Sequence, residues 1–492
     1  MTPILCGIET EYGLHVEGSG ADRQVEDAMD FVRGGPEPAF VGWDYRHESP
    51  RNDLRGFRIE ALSYDPEDAK YDAGKSYGSS ADVRSDRVLR NGARFYNDHG
   101  HPEYSTPECR SIFELAIHDR AGQDVMLEAA RAMADRTGRA VSVYKNNTDF
   151  HGASYGTHES YLTPRSLGYQ KIYDAVVPML VARQVLTGAG KVGAEAGKSA
   201  VYQLSQRADF FVEPANAETL FRRPVFNTRD EPHADPRKWI RLHVISGDAN
   251  MIQSATARKV GLVKLALHLA ANETAPVWKL RSPVDAFQHI SRDETLKFEV
   301  DLANRSWTTA GEILESYFAA AEATLELNDE LRWVIQTSRR LLGELASRSS
   351  CFGREVDWAA KKSMIEQIQA EGGLSWRDPG LQTFDLEYHN PDPEEGLFGA
   401  LLSMDEVEPE SSPAEIASRR TGVFEPTRAR ARSIAVTRFR DAIETVSWGS
   451  LVMRTPDGLV DLSLPPSADY GPELDECQDV GTFVKALQGI HD

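Results

Sequence analysis

Two short polar segments carry side chains suited to cation and anion chemistry: Gly7-Ile8-Glu9-Thr10-Glu11-Tyr12-Gly13 and Asn91-Gly92-Ala93-Arg94-Phe95-Tyr96-Asn97-Asp98. Each reads as a β-strand. Strand side chains alternate between two faces, so Glu9 and Glu11 point one way, and Arg94, Tyr96 and Asp98 share a face of their own strand. A strand covering a core would place Ile, Val or Leu there. Carboxylates, a guanidinium and a phenol instead predict a sheet whose open face binds charged ligands and metal. The turn that follows adds His99, His101, Glu103, Ser105, Thr106 and Glu108. A divalent cation holding nucleotide phosphates takes oxygen ligands and keeps some waters, so a few carboxylates on adjacent strands suffice. Glu9 and Glu103 are the first candidates. Further polar clusters contain His158, Arg207, Arg229, Arg241 and His243. Arginines at a carboxylate-rich site are what a triphosphate or a carboxylate substrate requires.

These side chains need a scaffold to position them. Ala140–Tyr144, Ser160–Leu162 and Arg241–Ile245 read as further strands. Apolar residues at helical spacing predict core-packing helices over Ala257–Ala271 and from Ala310 to about Ser347. Between Val32 and Val88 the periodicity lapses into Gly, Pro, Asp and Arg, and so long a loop in a compact domain is usually functional or mobile. Pro391–Glu395 and Glu406–Pro413 read as an acidic, Pro-rich connector. The expected division is a large domain over 1–412, with an insertion at 33–87, and a small C-terminal domain over 413–492.

The 492 residues, 41% apolar and 27% charged, describe a soluble globular chain able to bury a sizeable core. A net charge of −21 argues against general affinity for nucleic acid or anionic membrane. No apolar run approaches the ~18 residues of a membrane span. Met1–Cys6 lacks the pattern of a secretory signal. Cys6, Cys109, Cys351 and Cys477 form no C-x-x-C pair, which predicts reduced thiols in a cytoplasmic protein. Two motifs are decoys. Gly193–Ser199 has a P-loop flavour but one residue too few between its glycines, and it follows a helical run. Arg428-Ala429-Arg430-Ala431-Arg432 lacks interleaved aromatics and reads as a solvated helix start or a site for an acidic ligand.

Six segments together, Gly7–Gly13, Asn91–Glu108, Lys145–Leu162, Leu204–Phe210, Asn227–Asp235 and Arg241–Met251, resemble the family of Pup-processing enzymes, the Pup ligase and the Pup deamidase/depupylase. The resemblance runs over nearly the whole chain, including Pro426–Arg430. It implies an α+β fold like that of glutamine synthetase, an antiparallel β-sheet cradle flanked by helices with a small C-terminal domain. It also implies ATP and Mg2+ as cofactors. On matching positions Glu9, Tyr96 and Glu103 would bind Mg2+, with His158 and His243 nearby. Arg94, Thr106 and Trp448 would contact ATP. Arg207, Arg229 and Arg241 are candidates for a basic lining that receives Pup or a Pup-like modifier, which is itself acidic.

Asp98 is the implied catalytic residue, either attacking directly to form a mixed anhydride or serving as base or orienting group for water. The long insertion, with Trp43–Pro50 and Arg55-Gly56-Phe57, resembles the depupylase branch, as does the short spacer from Asp98 to Glu103. The implied reaction is hydrolysis of the isopeptide bond between the C-terminal Glu side chain of Pup and a lysine of a pupylated protein, together with deamidation of a C-terminal Gln of Pup. A Pup ligase and a small-molecule carboxylate-amine ligase are the alternatives. The insertion is expected to be mobile and to screen the site.

Overall fold

The computed structural model describes residues 4–46, 48–60, 80–195 and 200–490. Its centre is a seven-stranded sheet in the order Trp239–Gly247, Thr157–Pro164, Cys6–Glu11, His101–Ser105, Arg94–Asp98, Arg87–Val88, Phe40–Val41. All neighbouring pairs are antiparallel. The register sets Glu9 opposite both Ser105 and His158, Glu11 opposite Glu103, and Tyr96 opposite Glu103. Directly opposed residues share a face, so the polar set of five strands converges on one side.

The other side is the core. Ile8, Tyr161, Leu242 and Val244 alternate with the polar residues and pack with Val176, Val181, Leu265 and Leu269 of two helices, Gly168–Thr187 and Gln253–Ala271. A third helix, Ile112–Thr137, starts where Ser111 Oγ accepts from the amides of Phe113 and Glu114, and stops at Gly138 with φ 68°. It lies close against the sheet at Gly122, where a Cβ would sit 2.4 Å from the Tyr104 ring. Gly122→Ala is therefore expected to destabilise the protein by about 1–3 kcal/mol through overpacking, read as a lower denaturant midpoint.

The helical block expected from Ala310 to Ser347 is two helices, Ala310–Thr324 and Asp329–Ala346. Asn328 breaks it, its side chain accepting the amide of Leu331 and capping a new start. Between the two acidic runs read as a connector, Leu397–Ser403 is helical, and its Phe398 and Leu401, together with Val407 of the second run, are buried with Met251 and Tyr388. In the C-terminal segment, the Arg428–Arg438 helix, three strands within 443–463 and the Val480–Gln488 helix enclose a core that includes Ile434, Met453 and Phe483.

The insertion is partly built into this frame. Its two ends, Phe40–Val41 and Arg87–Val88, pair with each other and extend the sheet edge. Asp44 and Leu54 are tethered, by Asp44 N–H to Val446 O (2.8 Å) and Leu54 N–H to Thr228 O (2.8 Å). The expectation of a mobile screen bears on residues 61–79 as well, which lie outside the described residues, as do residues 196–199 of the P-loop-like motif. Among the described residues no helix is long and apolar enough to cross a membrane.

Candidate active site

The polar face opens into a cavity of about 310 Å³. Glu9, Arg94, Tyr96, Asp98, Glu103, His158, Arg207, Arg229, Arg241, His243 and Trp448 all line it. Thr106 does not. Its hydroxyl accepts the Ile8 amide at 3.1 Å, and it borders a separate cavity of about 60 Å³ with Glu108, Arg428 and Trp448.

At the cavity floor two ligand clusters lie side by side. Oxygen or nitrogen atoms of Glu9, His158 and His243 lie within 4.8 Å of one another, and so do carboxylate oxygens of Glu11, Asp98 and Glu103. Glu9 is 3.8 Å from His158 Nδ1 and 3.6 Å from His243 Nε2, while Arg241 Nη2 is 3.5 Å away on its other oxygen. Burial opposes the charge on Glu9, but Arg241 and the two imidazoles outweigh it and hold the carboxyl well below its usual range. Burial, then Arg241, drives His243 down to about 3, so its ring is neutral, and among the described residues neither ring nitrogen has a hydrogen-bond partner. A neutral imidazole with an unused lone pair beside an ionised carboxylate is a donor set that fits a divalent cation.

The second cluster is all oxygen, the chemistry that Mg2+ prefers. Burial, then Asp98, Glu9 and Glu11, pushes Glu103 well above the carboxylate range. Tyr96 hydroxyl hydrogen-bonds Glu103. The metal candidates drawn from sequence thus fall into two neighbouring groups, with Glu11 and Asp98 joining the second. Asp98 is ionised: burial acts against it, but Arg84, 2.9 Å from Oδ1, followed by His99, Arg94 and His158, lowers it below its ordinary value.

The insertion builds one wall. Arg94 lies with its guanidinium carbon 3.9 Å from the Tyr96 ring centre and 4.4 Å from that of Trp43. It donates to Asp86 at 2.7 Å and to the Tyr45 hydroxyl at 2.9 Å, with Glu48 4.0 Å away. Trp43 also meets Trp448 edge-on at 5.0 Å. The opposite end is basic. Arg207 is 1% exposed and donates to Tyr155 O, and among the described residues neither its Nε nor that of Arg229 has a hydrogen-bond partner. Burial, then Arg223, lowers Arg207 to about 10. A third cavity of about 780 Å³ opens between residues 43–52, the 230–236 segment and the C-terminal strands.

Sequence reasoning gave no individual role to Tyr45, Glu48, Arg84 or His233. Tyr45 and Glu48 lay within the Trp43–Pro50 motif, and Arg84 in a stretch without periodicity. His233 belonged to a recognised polar cluster but carried no role. Arg428 and Arg432 correct the expectation of a solvated helix start: both are buried on Glu108.

The family model described as Pup-ligase protein matches residues 4–452. A depupylase of Acidothermus cellulolyticus is 37% identical over 99% of this chain and 99% of its own. A Pup–protein ligase of Mycobacteroides abscessus is 37% identical over 76% of this chain and 84% of its own. The solved structure of a Pup ligase in complex with ADP superposes with a TM-score of 0.73 at 28% identity, covering 88% of this chain and 96% of that one. The fold-class expectation is met by this likeness and by the antiparallel sheet flanked by helices.

Proposed function

The chain belongs to the Pup-ligase protein family, and we propose that within it the chain is a depupylase and Pup deamidase. It cleaves the isopeptide bond between the C-terminal Glu side chain of Pup and a substrate lysine, and converts a C-terminal Gln of Pup to Glu. Both reactions attack a γ-carbonyl, so one site serves both. The observation that carries hydrolysis over ligation is the insertion: Trp43, Tyr45 and Glu48 wall in Arg94, and the depupylase relative aligns along 99% of the chain against 76% for the ligase relative.

Glu9, His158 and His243, and Tyr96 with Glu103, would hold Mg2+, and Arg94 and Trp448 would contact ATP. Bound together, cation and nucleotide supply positive charge and phosphate oxygens next to the reacting carbonyl. Asp98 is the catalytic carboxylate, as nucleophile or as base for water. Arg84 Nη1, 2.9 Å from Oδ1, holds that carboxylate in place. Arg207, Arg229 and Arg241 receive the acidic end of Pup or a Pup-like modifier. Residues 1–412 and 413–492 are proposed as the two units of a cytoplasmic enzyme that has pupylated proteins, and neither nucleic acid nor membrane, as partners.

Incubation with ATP, Mg2+ and Pup ending in Gln, followed by mass spectrometry, is expected to show the shift that accompanies replacement of the amide NH2 by OH. Conjugate formation with ADP release from Pup ending in Glu, in its place, would assign the ligase reaction.

A further inference from the structure

Four consecutive residues, Asp230 to His233, receive contacts from three separate parts of the molecule. From the insertion, Asn52 O accepts the Asp230 amide at 2.8 Å, and the Ser49 amide donates to Glu231. From the C-terminal segment, Arg428 Nη1 donates to His233 O at 2.7 Å. The loop carrying Trp448 presses on the same carbonyl: a Cβ on Gly449 would stand 3.0 Å from His233 O. From the metal end, Arg241 Nη1 lies 2.5 Å from His233 Nε2. His233 borders all three cavities. Its φ of 49° is left-handed, uncommon for a residue with a side chain, and it aims the carbonyl at Arg428 while the ring reaches Arg241.

We propose that His233 is the positioning residue that holds Arg241 at a set distance from Glu9 and so ties both the insertion and the C-terminal segment to the cation-binding end. This rests on the reading of Glu9 as a cation ligand. Among the described residues, Arg241 hydrogen-bonds Ser160 Oγ at 3.1 Å, His233 Nε2, and Glu9 at 3.5 Å. The first two hold the guanidinium at the long end of hydrogen-bond distance from the carboxylate. Burial, together with the flanking Arg241 and Arg428, keeps the His233 ring neutral, so Nε2 is free to accept. Without that acceptor Arg241 closes on Glu9 and competes with the cation. Groups that orient a metal ligand from outside typically change affinity ~10–100-fold when removed.

Mn2+ binding to the full chain, followed by the electron paramagnetic resonance of free Mn2+, tests this without reference to activity. His233→Gly keeps the left-handed backbone and removes the ring; its Mn2+ affinity is expected to fall ~10-fold or more. His233→Gln restores an acceptor and is expected to recover much of the loss. His233→Asn tolerates the same backbone but is too short to reach Arg241, and it replaces the Gly variant should that one fail to fold. Wild-type Mn2+ affinity in a folded Gly or Asn variant overturns the proposal, as does a Gln variant of wild-type Tm that binds no better than they do. Glu9→Gln separates the two levels: if it binds Mn2+ like the wild type, the reading of Glu9 fails, whereas loss in Glu9→Gln with none in His233→Gly defeats only the role of His233.

Discussion

Asp98→Asn is expected to slow cleavage of a Pup–lysine isopeptide by about 10²–10⁴-fold while nucleotide binding persists. The substitution keeps the size of the side chain and one acceptor oxygen for Arg84, so the cavity should hold its shape. What it removes is a charge that the site maintains against burial, through Arg84 first and then His99, Arg94 and His158. Because Asp98 also lies within 4.8 Å of ligand atoms on Glu11 and Glu103, the same variant sorts its two chemical roles. Loss of cleavage with unchanged Mn2+ affinity marks a carboxylate that acts on the carbonyl or on water. Loss of both marks a cation ligand. Near-normal cleavage would remove Asp98 from the mechanism altogether. A Mn2+ titration beside a gel assay of conjugate cleavage gives all three readings, and calorimetry checks that nucleotide still binds.

The polar face was legible in the sequence because its strands are amphipathic in reverse. Glu9 and Glu11 alternate with Ile8 and Thr10, Tyr96 with Phe95 and Asn97, and period two assigns each set to a side. The strand order was not legible, and with it the pairing of Tyr96 with Glu103 and of Glu9 with His158, because antiparallel register depends on contacts far apart along the chain. The insertion hid its contribution for another reason. Trp43, Tyr45 and Arg84 belong to no repeating pattern, and only the fold shows that they stack on or pair with residues of the Arg94–Asp98 strand. Thr106 shows the converse: a hydroxyl beside candidate ligands whose side chain is spent on the Ile8 amide.

The arginine run 428–432 misled because sequence shows charge and not its partner. Arg428 and Arg432 are one helical turn apart, so both face the same way, and both converge on Glu108. Arg428 Nε is 2.6 Å from Glu108 Oε1, and Arg432 donates to both carboxylate oxygens and, at 3.1 Å, to Trp448 O. This clamp fixes the C-terminal segment, with Trp448, against the strand that carries Glu103. Removing one member leaves the others buried without compensation, so Glu108→Ala should destabilise the protein by about 3–5 kcal/mol, measured by chemical denaturation. A loss under about 1 kcal/mol, the range of exposed pairs, would show that the clamp is solvated.

The pH dependence follows from the same geometry. Burial acts to raise Glu108, but Arg432 and Arg428 outweigh it and leave its folded pKa below the unfolded value. A depressed carboxyl adds stability that is complete above its unfolded pKa, about 4.3, and is lost as pH falls through the folded value. The gap between wild type and Glu108→Ala should therefore be full at neutral pH and narrow on acidification below about 4. The combined variant Glu108→Met, Arg428→Met, Arg432→Met separates stability from function. Replacing all members of a buried ion cluster by apolar side chains is often neutral or stabilising, so the fold should survive. Arg432 would no longer hold the Trp448 carbonyl, nor Arg428 that of His233, and nucleotide affinity should fall below that of the wild type in a protein that is otherwise intact.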